Sequence, residues 1–435
     1  MFTVWVTYGA FYLCRVNIGP ARVEIEHAFA IDTLQMGLIL GSLKIGYAIG
    51  QLVNGQLAER FGAKRILLVG MIGSVAACVL FANAAWLATA LGPILPSLAH
   101  VVSTATSLLP TTSNVTPVAA LLTVLWFANG YFQAGGWPPS VKIMSNWFAP
   151  RERGRLMGIL GTSYQIGSAF TILAAGALIT IFHDDFRAAF LVPACLLLVA
   201  AVHAALRLRE RPEDDAAATH DRAPASHVTR LSVAQTLRIT FTNSKIWVLA
   251  LALFGLDIVR YGFLDWAPGH LKLVHGSGGL VAALKVAVFP LAGALGALVS
   301  GWATDRWFGS RRAPMIAIAL GAVGVLTLAY APLASLGAAP TVVCLGAIGF
   351  FLYGAQILLV GTAAQDFAKH GTTAAAAGFV DFMGYMGAFG GDLVTGLLLK
   401  RHDYDAAIRF WAAAAIVAAL LTSTLWKAEV VQREA

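Results

Sequence analysis

Two arginines, Arg15 and Arg260, lie within stretches that are otherwise apolar. An arginine inside a membrane span costs at least about 2.5–3.5 kcal/mol on insertion scales, so it usually marks a functional site. A guanidinium group offers a planar fork of N–H donors, which binds carboxylate or phosphate oxygens in pairs. The two arginines therefore predict a site for a small anion, unless each pairs with an acid or reaches the membrane surface.

Two tyrosines accompany the first arginine. Tyr8, Tyr12 and Arg15 follow one another at spacings of four and three residues, so they share one face of a helix. In an arbitrary helix such a stripe is more often packing than binding. Because this stripe ends in an intramembrane arginine, both tyrosines are candidates for the wall of the anion site.

A break is predicted in a later apolar helix, where Pro138 and Pro139 force a kink or an unwound turn. Inside a bilayer, a broken helix persists only where protein or a water-filled cavity covers the freed backbone groups. Gln133 and Trp137 share a helix face beside this break. They are therefore candidates for binding substrate.

Further charged residues fall inside the apolar stretches. Asp257 precedes Arg260 by three residues, so it either orients that arginine or accepts bonds from hydroxyls or an ammonium group of a ligand. Lys44 is a candidate for substrate binding, and Lys285 and Asp381 are candidates for charge coupling. If both arginines and Lys44 face one cavity, Asp257 leaves two net positive charges, which match a phosphate dianion.

The composition indicates what surrounds these residues. The chain has 435 residues, of which 58% are hydrophobic and 12% charged, whereas soluble domains average about 25% charged. Apolar runs of about 20 residues, each long enough to cross a bilayer, recur along nearly the whole chain. We predict an all-α polytopic membrane protein. The four cysteines stand singly within apolar runs, so neither disulfides nor a metal site is expected.

Twelve transmembrane helices are predicted, in two sets of six. They give an N-terminal six-helix bundle at 1–207, a cytoplasmic linker at 208–243 and a C-terminal six-helix bundle at 244–435. An uncharged stretch rich in Pro, Ser and Thr, at about 93–117, separates the third helix from the fourth. The helices are predicted at about 2–21, 34–57, 66–92, 118–145, 153–181, 187–207, 246–273, 280–304, 313–335, 341–367, 373–399 and 406–427.

The loop charges predict the orientation. Lys64-Arg65, Arg311-Arg312 and the linker fall in loops that must share one side of the membrane. Positively charged loops stay in the cytoplasm, so both termini are predicted to be cytoplasmic. The net charge of +8 reflects these loops, and nucleic-acid binding is not expected.

The two halves repeat one another. Residues 55–60, Gly-Gln-Leu-Ala-Glu-Arg, follow the second helix, and residues 301–306, Gly-Trp-Ala-Thr-Asp-Arg, follow the eighth, 246 positions later (55 to 301). In the fourth and tenth helices the offset is 219 (Gly130 to Gly349). The difference locates an insertion at 93–117. Two parallel repeats place a shared site at their interface, near the bilayer midplane.

The segment 55–65 resembles the signature loop of the major facilitator superfamily, with Glu59 where aspartate is usual. The blocks 135–139, 151–154 and 260–268 resemble one branch of it, the organophosphate:phosphate antiporters, which include the glycerol-3-phosphate and hexose-phosphate exchangers. The similarity runs from Tyr8 to about the twelfth helix. It implies the major facilitator fold in a bacterial inner membrane, with no cofactor, and we expect a monomer.

The resemblance also implies that one arginine from each half clamps the phosphoryl group. Tyr8, Tyr12, Gln133 and Trp137 match family pocket positions, and Tyr353 of the tenth helix is a further candidate.

The chain departs from the family at several positions. Val16 replaces a lysine that follows the first arginine, and Gln51 replaces a lysine of the second helix, where Lys44 lies seven residues earlier on the same face. Tyr164 stands where the glycerol-3-phosphate exchanger has a histidine. These changes leave a phosphate grip plausible and the organic group open.

Three functions are compatible with the sequence. The first is exchange of a phosphorylated metabolite for inorganic phosphate by alternating access. The second is transport of another small organic anion, coupled to protons through Asp257 or Asp381. The third is a membrane sensor that binds a sugar phosphate without transporting it. An enzyme is not expected, because the sequence has no paired carboxylates, nucleophile–base set or metal-ligand spacing.

Overall fold

The structure is a computed structural model, which describes residues 1–107, 115–148, 150–210, 233–276, 278–309, 311–363, 367, 373–401 and 403–428. Over those ranges the chain forms helices and turns, without strands. The α-helices are α1 (Phe2–Phe11), α2 (Ile18–Phe29), α3 (Thr33–Phe61), α4 (Ala63–Ala82), α5 (Ala84–Ala90), α6 (Leu95–Ala105), α7 (Pro117–Gln133), α8 (Trp137–Trp147), α9 (Pro150–Ile181), α10 (Ala188–Arg207), α11 (Val233–Phe241), α12 (Ser244–Tyr261), α13 (Ala267–His275), α14 (Gly279–Phe308), α15 (Arg312–Ser335), α16 (Ala338–Ile357), α17 (Thr373–Leu399) and α18 (Tyr404–Ser423). A 3₁₀ turn covers Tyr12–Cys14, and π-helical turns cover Gly262–Trp266 and Leu358–Ala363.

Eleven candidate membrane spans match the second to twelfth predicted helices. The first span consists of α1 and α2, which together run from Phe2 to Phe29 and are long enough to cross the roughly 30 Å hydrocarbon core. The pair α5 and α6 passes the same length and hydropathy test only as two pieces bent by 112°. The prediction of an all-α protein with the twelve-helix plan is confirmed.

Several predicted boundaries are wrong. The first span continues to Phe29, eight residues beyond the predicted end at 21, because Pro20 stands near the start of α2, where a missing N–H is harmless. The third helix ends at Ala82 rather than 92, and α5 and α6 follow it. Within the predicted linker, α11 occupies Val233–Phe241. Residues 211–232 of that linker lie outside the described ranges.

The first span is broken beside Arg15, and α7 stabilises the break. The 3₁₀ turn frees backbone carbonyls that would be costly to bury in a membrane. The Asn129 side-chain amide donates to the Cys14 carbonyl at 2.7 Å, and the Gln133 amide donates to the Phe11 carbonyl at 2.9 Å. Because Asn129 and Gln133 are four residues apart on α7, they reach neighbouring turns of the first span.

The predicted break at the proline pair is confirmed. Helix α7 ends at Gln133, and α8 begins at Trp137, with Pro138 and Pro139 in its first turn. Proline is tolerated there because the first N–H groups of a helix have no intrahelical acceptor. The regular α-helical hydrogen bonding of this span is therefore interrupted close to the break in the first span.

Glycine contacts confirm the internal repeat. Gly130 of α7 packs against the Leu43 carbonyl of α3, and Gly349 of α16 packs against the Phe289 carbonyl of α14, with no room for a side chain at either place. The two carbonyls are 246 positions apart (43 to 289), and the two glycines are 219 apart (130 to 349). A second pair of equivalent contacts exists. Gly167 of α9 packs against the Gly9 carbonyl of α1, and Gly387 of α17 packs against the Phe254 carbonyl of α12. The sequence offsets therefore describe equivalent packing in the two halves.

The halves are joined at one end of the bundle. We call the end where α1 begins and α10 ends the terminal end, and the end where α2 ends and α3 begins the distal end. At the distal end, ion pairs join Glu24 to Lys272 at 2.5 Å and Asp32 to Lys400 at 2.9 Å. Hydrogen bonds at the same end join Arg22 to Tyr404, Thr33 to Gly396 and Leu280 to Thr180.

Candidate functional site

Arg15 is held by tyrosines of both halves. Its Nη2 donates to the Tyr385 hydroxyl at 2.7 Å and to the Tyr261 hydroxyl at 3.1 Å. Its guanidinium carbon lies 4.1 Å from the ring centroid of Tyr47. Arg15 is buried, and its Nε makes no hydrogen bond within the described part of the chain. The guanidinium group is therefore oriented by neutral partners, and it keeps an N–H group available for an anion.

Arg260 occupies the equivalent place at the end of α12, beside the π-helical turn. Its guanidinium carbon lies 5.0, 5.4 and 5.9 Å from the ring centroids of Tyr261, Tyr353 and Tyr164. Its Nη1 is 3.6 Å from Asp257 Oδ1, which is too long for a hydrogen bond. Its buried Nε also lacks a hydrogen bond among the described residues. Like Arg15, it is buried with unused donors.

Tyr261 links the cations of the site. Its hydroxyl accepts from Arg15, and its ring lies beside both Arg260 and Lys44, whose Nζ is 4.5 Å from the ring centroid. Ring faces attract cations through the aromatic quadrupole. Both arginines, one from each half, therefore contact the same tyrosine, and the two predicted clamp residues belong to one cluster.

Lys44 is paired with carboxylates. Its Nζ lies 2.6 Å from Asp265 Oδ2 and 2.7 Å from Asp392 Oδ2, and all three side chains are buried. The indole N–H of Trp266 donates to Asp392 Oδ1 at 3.1 Å. The sequence-based count of two net positive charges treated Lys44 as a free cation, so it is wrong. Two carboxylates of the second half already surround this lysine of the first, and the three groups together carry one net negative charge.

Asp257 and Asp381 are the acids beside the arginines. Asp257 is 2% exposed, and its Oδ1 makes no hydrogen bond within the described ranges. Asp381 lies on α17, one turn before Tyr385, and it is partly exposed. It interacts electrostatically with Asp257, Arg15 and Arg260. The structure thus brings two carboxylates to the arginine cluster.

Of the six remaining predicted residues, five make aromatic contacts with one another and the sixth, Gln133, bonds to the backbone. Tyr8 packs against Trp137, Tyr12 against Tyr164 and Tyr164 against Tyr353, with centroids 5.0, 5.7 and 6.3 Å apart. Gln133 stabilises the break of the first span through its bond to the Phe11 carbonyl.

Lys285 is separate from the cluster. Its Nζ lies 3.0 Å from His275 Nδ1, at the distal end of α13. Its predicted part in charge coupling stays a prediction. Over the described residues, no group of three or more His, Cys, Asp or Glu side chains could hold a metal ion.

The sequence analysis missed five residues of this cluster. Tyr47, Tyr261 and Tyr385 contact Arg15, and Asp265 and Asp392 pair with Lys44. The rule that singled out Asp381, an acid inside an apolar helix, applies equally to Asp392. No sequence signal separates the tyrosines from ordinary packing, because their role depends on which helices meet.

Comparison with known proteins gives the family. The family model for the Major Facilitator Superfamily matches residues 4–392. The chain therefore belongs to the major facilitator superfamily, a family of membrane transporters, and it is an integral membrane protein rather than an enzyme.

Among its relatives is the glycerol-3-phosphate transporter of Bacillus subtilis (strain 168), which is 25% identical over 434 residues that cover 97% of this chain and 90% of the relative. The membrane sensor protein UhpC of Escherichia coli (strain K12) is 27% identical over 407 residues that cover 89% of this chain and 82% of the relative. The crystal structure of a bacterial homolog of the human lysosomal transporter Spinster, in an inward-facing and unoccupied conformation, has a TM-score of 0.74 and 16% identity, and covers 99% of this chain and 98% of that one. These likenesses confirm the family and the fold, and organophosphate proteins are among the chain's relatives.

Proposed function

We propose that this protein is a secondary-active transporter that exchanges a phosphorylated organic metabolite for inorganic phosphate. The observation that carries the proposal is the pair Arg15 and Arg260, which lie buried at equivalent places of the two halves with unused N–H donors. A phosphoryl group offers several acceptor oxygens, which two guanidinium forks can share. The relatives named as glycerol-3-phosphate and hexose-phosphate transporters support this substrate class.

Alternating access follows from the position of the clamp. Because each half contributes one arginine, an anion that binds both favours the approach of the halves around it. The halves 1–207 and 244–435 then rock about the site, with the distal ties breaking as the terminal end closes. Tyr261 and Tyr385 orient Arg15 while the site is empty, and the Nε–H group of Arg15 stays available for the anion.

The terminal end is proposed to be cytoplasmic, in a bacterial inner membrane. The basic pairs Lys64-Arg65 and Arg311-Arg312 lie at the starts of α4 and α15, at that end, which supports this orientation. The distal ties then close the outer side. Each chain contains both halves of the clamp, so a monomer is sufficient for transport.

The test is phosphate exchange by the purified chain in liposomes preloaded with phosphate. Labelled phosphate should accumulate, and an organic phosphate inside the vesicles should replace phosphate as the exchanged anion. Arg15→Lys and Arg260→Lys keep the charge but lose the fork, so each should lower exchange at least about tenfold, as expected for one lost charge-assisted hydrogen bond. Arg409→Lys, in α18 outside the cluster, is the control and should exchange normally.

Wild-type exchange by either variant of the pair, at equal protein per vesicle, would place the clamp elsewhere. Accumulation that requires a pH gradient and no internal phosphate would favour the second candidate, a proton-coupled carrier that uses Asp257 or Asp381. The similarity to UhpC favours the third candidate, a sensor. A sensor would bind organic phosphates without exchanging phosphate.

A further inference from the structure

We propose that the organic substrate is a phosphorylated amine, a phosphate or phosphonate with a protonated amino group two or three atoms away. Its phosphoryl group binds Arg15 and Arg260, and its ammonium group binds Asp257 and Asp381. The inference rests on the proposed function for the phosphoryl end, and it names the chemistry of the other end.

The charges of the empty site support a zwitterion. Besides Lys44 with its two partners Asp265 and Asp392, the cluster contains two guanidinium groups and two carboxylates. Of these, Arg260 and Asp257 form a long ion pair at 3.6 Å. Those four charges cancel, and Lys44 with its two carboxylates carries one net negative charge, so a phosphate dianion alone would leave the buried cluster with three excess negative charges, which is costly away from water. A ligand that brings its own cation reduces this excess. A neutral sugar group does not.

Asp257 has a buried oxygen atom that can accept a hydrogen bond from a ligand. Its Oδ1 is buried without a hydrogen bond, and the Nη1 of Arg260 is 3.6 Å away. A structural counter-ion would be expected to approach within about 2.7–2.9 Å, as charge-assisted bonds do. Gly384 of α17 packs directly against Asp257, since an added Cβ there would lie 2.7 Å from Oδ2. The carboxylate is therefore held in place by packing, and one of its acceptors is unused.

Asp381 supplies the second carboxylate. It precedes Gly384 and Tyr385 on α17 by three and four residues, so it lies on the helix face that meets Asp257 and Arg15. It is partly exposed, and it makes no hydrogen bond or ion pair with the described residues. Two carboxylates that interact with each other repel. An ammonium group has three donors and a positive charge, so it satisfies both acids.

The groups are arranged along one axis. On α17, Tyr385 lies one helical turn closer to the distal end than Asp381, and its hydroxyl accepts from Arg15 at 2.7 Å. Asp257 likewise precedes Arg260 by about one turn of α12. Both acids thus lie on the terminal side of the arginines. A ligand with its phosphoryl group at the arginines presents its other end to both carboxylates.

The test compares two ligands that differ in one group. In phosphate-loaded liposomes, 2-aminoethyl phosphate and 2-hydroxyethyl phosphate compete with labelled phosphate for uptake. Wild type should prefer the amine at least about tenfold, since a hydrogen bond to a charged group contributes roughly 1.5–3 kcal/mol. Asp381→Asn and Asp257→Asn should each lower this preference to about twofold or less. The preference is the ratio of the half-inhibitory concentrations of the two ligands in the same variant, so a change in phosphate uptake itself does not enter it. Asp185→Asn, in an exposed distal loop, is the matched control and should keep the preference.

Equal competition by both ligands in wild type, or a preference that survives both substitutions, overturns the proposal. Loss of dependence on a pH gradient in Asp381→Asn, with no change in ligand preference, would make that acid a proton carrier and also overturns it. If wild type exchanges no phosphate, the proposed transport is refuted. The preference for an amine is then tested separately, by how much each of the two ligands stabilises the detergent-solubilised protein. An amine-dependent rise in melting temperature that Asp381→Asn abolishes then supports the ammonium site. The absence of any difference refutes it.

Discussion

Arg15 and Arg260 are equivalent in the repeat, yet they are held differently. Arg15 donates to two tyrosine hydroxyls, whereas Arg260 lies among ring faces with a loose contact to Asp257. Hydrogen bonds fix the direction of a guanidinium plane, while ring faces restrict it less. Arg15 is therefore the better oriented of the two in the empty site.

Removing a single hydroxyl tests this orientation. Tyr385→Phe keeps the ring against Tyr47 but removes the acceptor for Arg15. The loss of this orienting hydrogen bond should weaken phosphate binding by about three- to tenfold. The half-saturation concentration for phosphate uptake measures it. Tyr131→Phe, at a tyrosine of α7 that contacts Phe132, is the control and should be unaffected.

Improved phosphate binding by Tyr385→Phe would mean that the hydroxyl competes with the anion rather than preparing the arginine for it. An unchanged half-saturation concentration would show that the hydrogen bond of 2.7 Å has no part in binding.

The sequence predicted the arginines but not their partners. A charge inside an apolar span is costly wherever it packs, so Arg15, Arg260, Asp257 and Asp381 could be identified individually. Tyr385 and Asp392 become important only because α17 packs against α3 at the distal side of the site. That contact joins two halves of the chain, and a one-dimensional pattern does not contain it.

At the scale of helices, the first and seventh spans are both interrupted beside their arginines. Each loses regular α-helical hydrogen bonding beside its arginine, through the 3₁₀ turn Tyr12–Cys14 in one and the π-helical turn Gly262–Trp266 in the other. The sequence predicted the break at the proline pair, because proline has a fixed effect. It did not predict these two turns, since no residue in them forbids a helix and Asn129 stabilises one of them from another span.

Asn129 should therefore contribute to stability. Asn129→Leu leaves the buried Cys14 carbonyl without its donor, which costs roughly 1–3 kcal/mol. Thermal unfolding in detergent should show a lower melting temperature. Asn83→Leu is the matched control, because the exposed Asn83 amide donates only to Val79 of its own helix turn, and surface changes of this kind stay within about 0.5 kcal/mol.

Equal melting temperatures for the two leucine variants would contradict this account of the break. Such a result would mean that another group satisfies the Cys14 carbonyl when Asn129 is removed.

At the scale of the molecule, the ties between the halves lie at the distal end and around the site. Asp32 and Lys400 form one such tie, at 2.9 Å, between the start of α3 and the end of α17. Exposed ion pairs contribute little individually, typically 0–1 kcal/mol. Weak ties of this kind suit an interface that must open in every transport cycle.

A reversible cross-link tests whether this end opens. With Cys195 replaced by Ser, Asp32→Cys and Lys400→Cys joined by a short thiol-specific reagent should lose exchange, and reduction should restore it. The control pair Asp305→Cys and Arg312→Cys lies within the second half, so linking it should leave exchange intact. Full exchange by the fully linked distal pair would mean that transport does not require the halves to separate there.

The internal repeat relates the two arginines of the site to each other, but it does not relate the two acids to any acid of the first half. The offset of 245 relates Arg15 to Arg260, but it relates Asp257 to Tyr12, and the offset of 220 relates Asp381 to Gly161. The two guanidinium groups therefore follow the repeat, whereas the two carboxylates do not. Such a symmetric pair suits a tetrahedral anion that looks alike from both sides. The acids belong to one copy alone, so a molecule with two different ends can enter in one direction only.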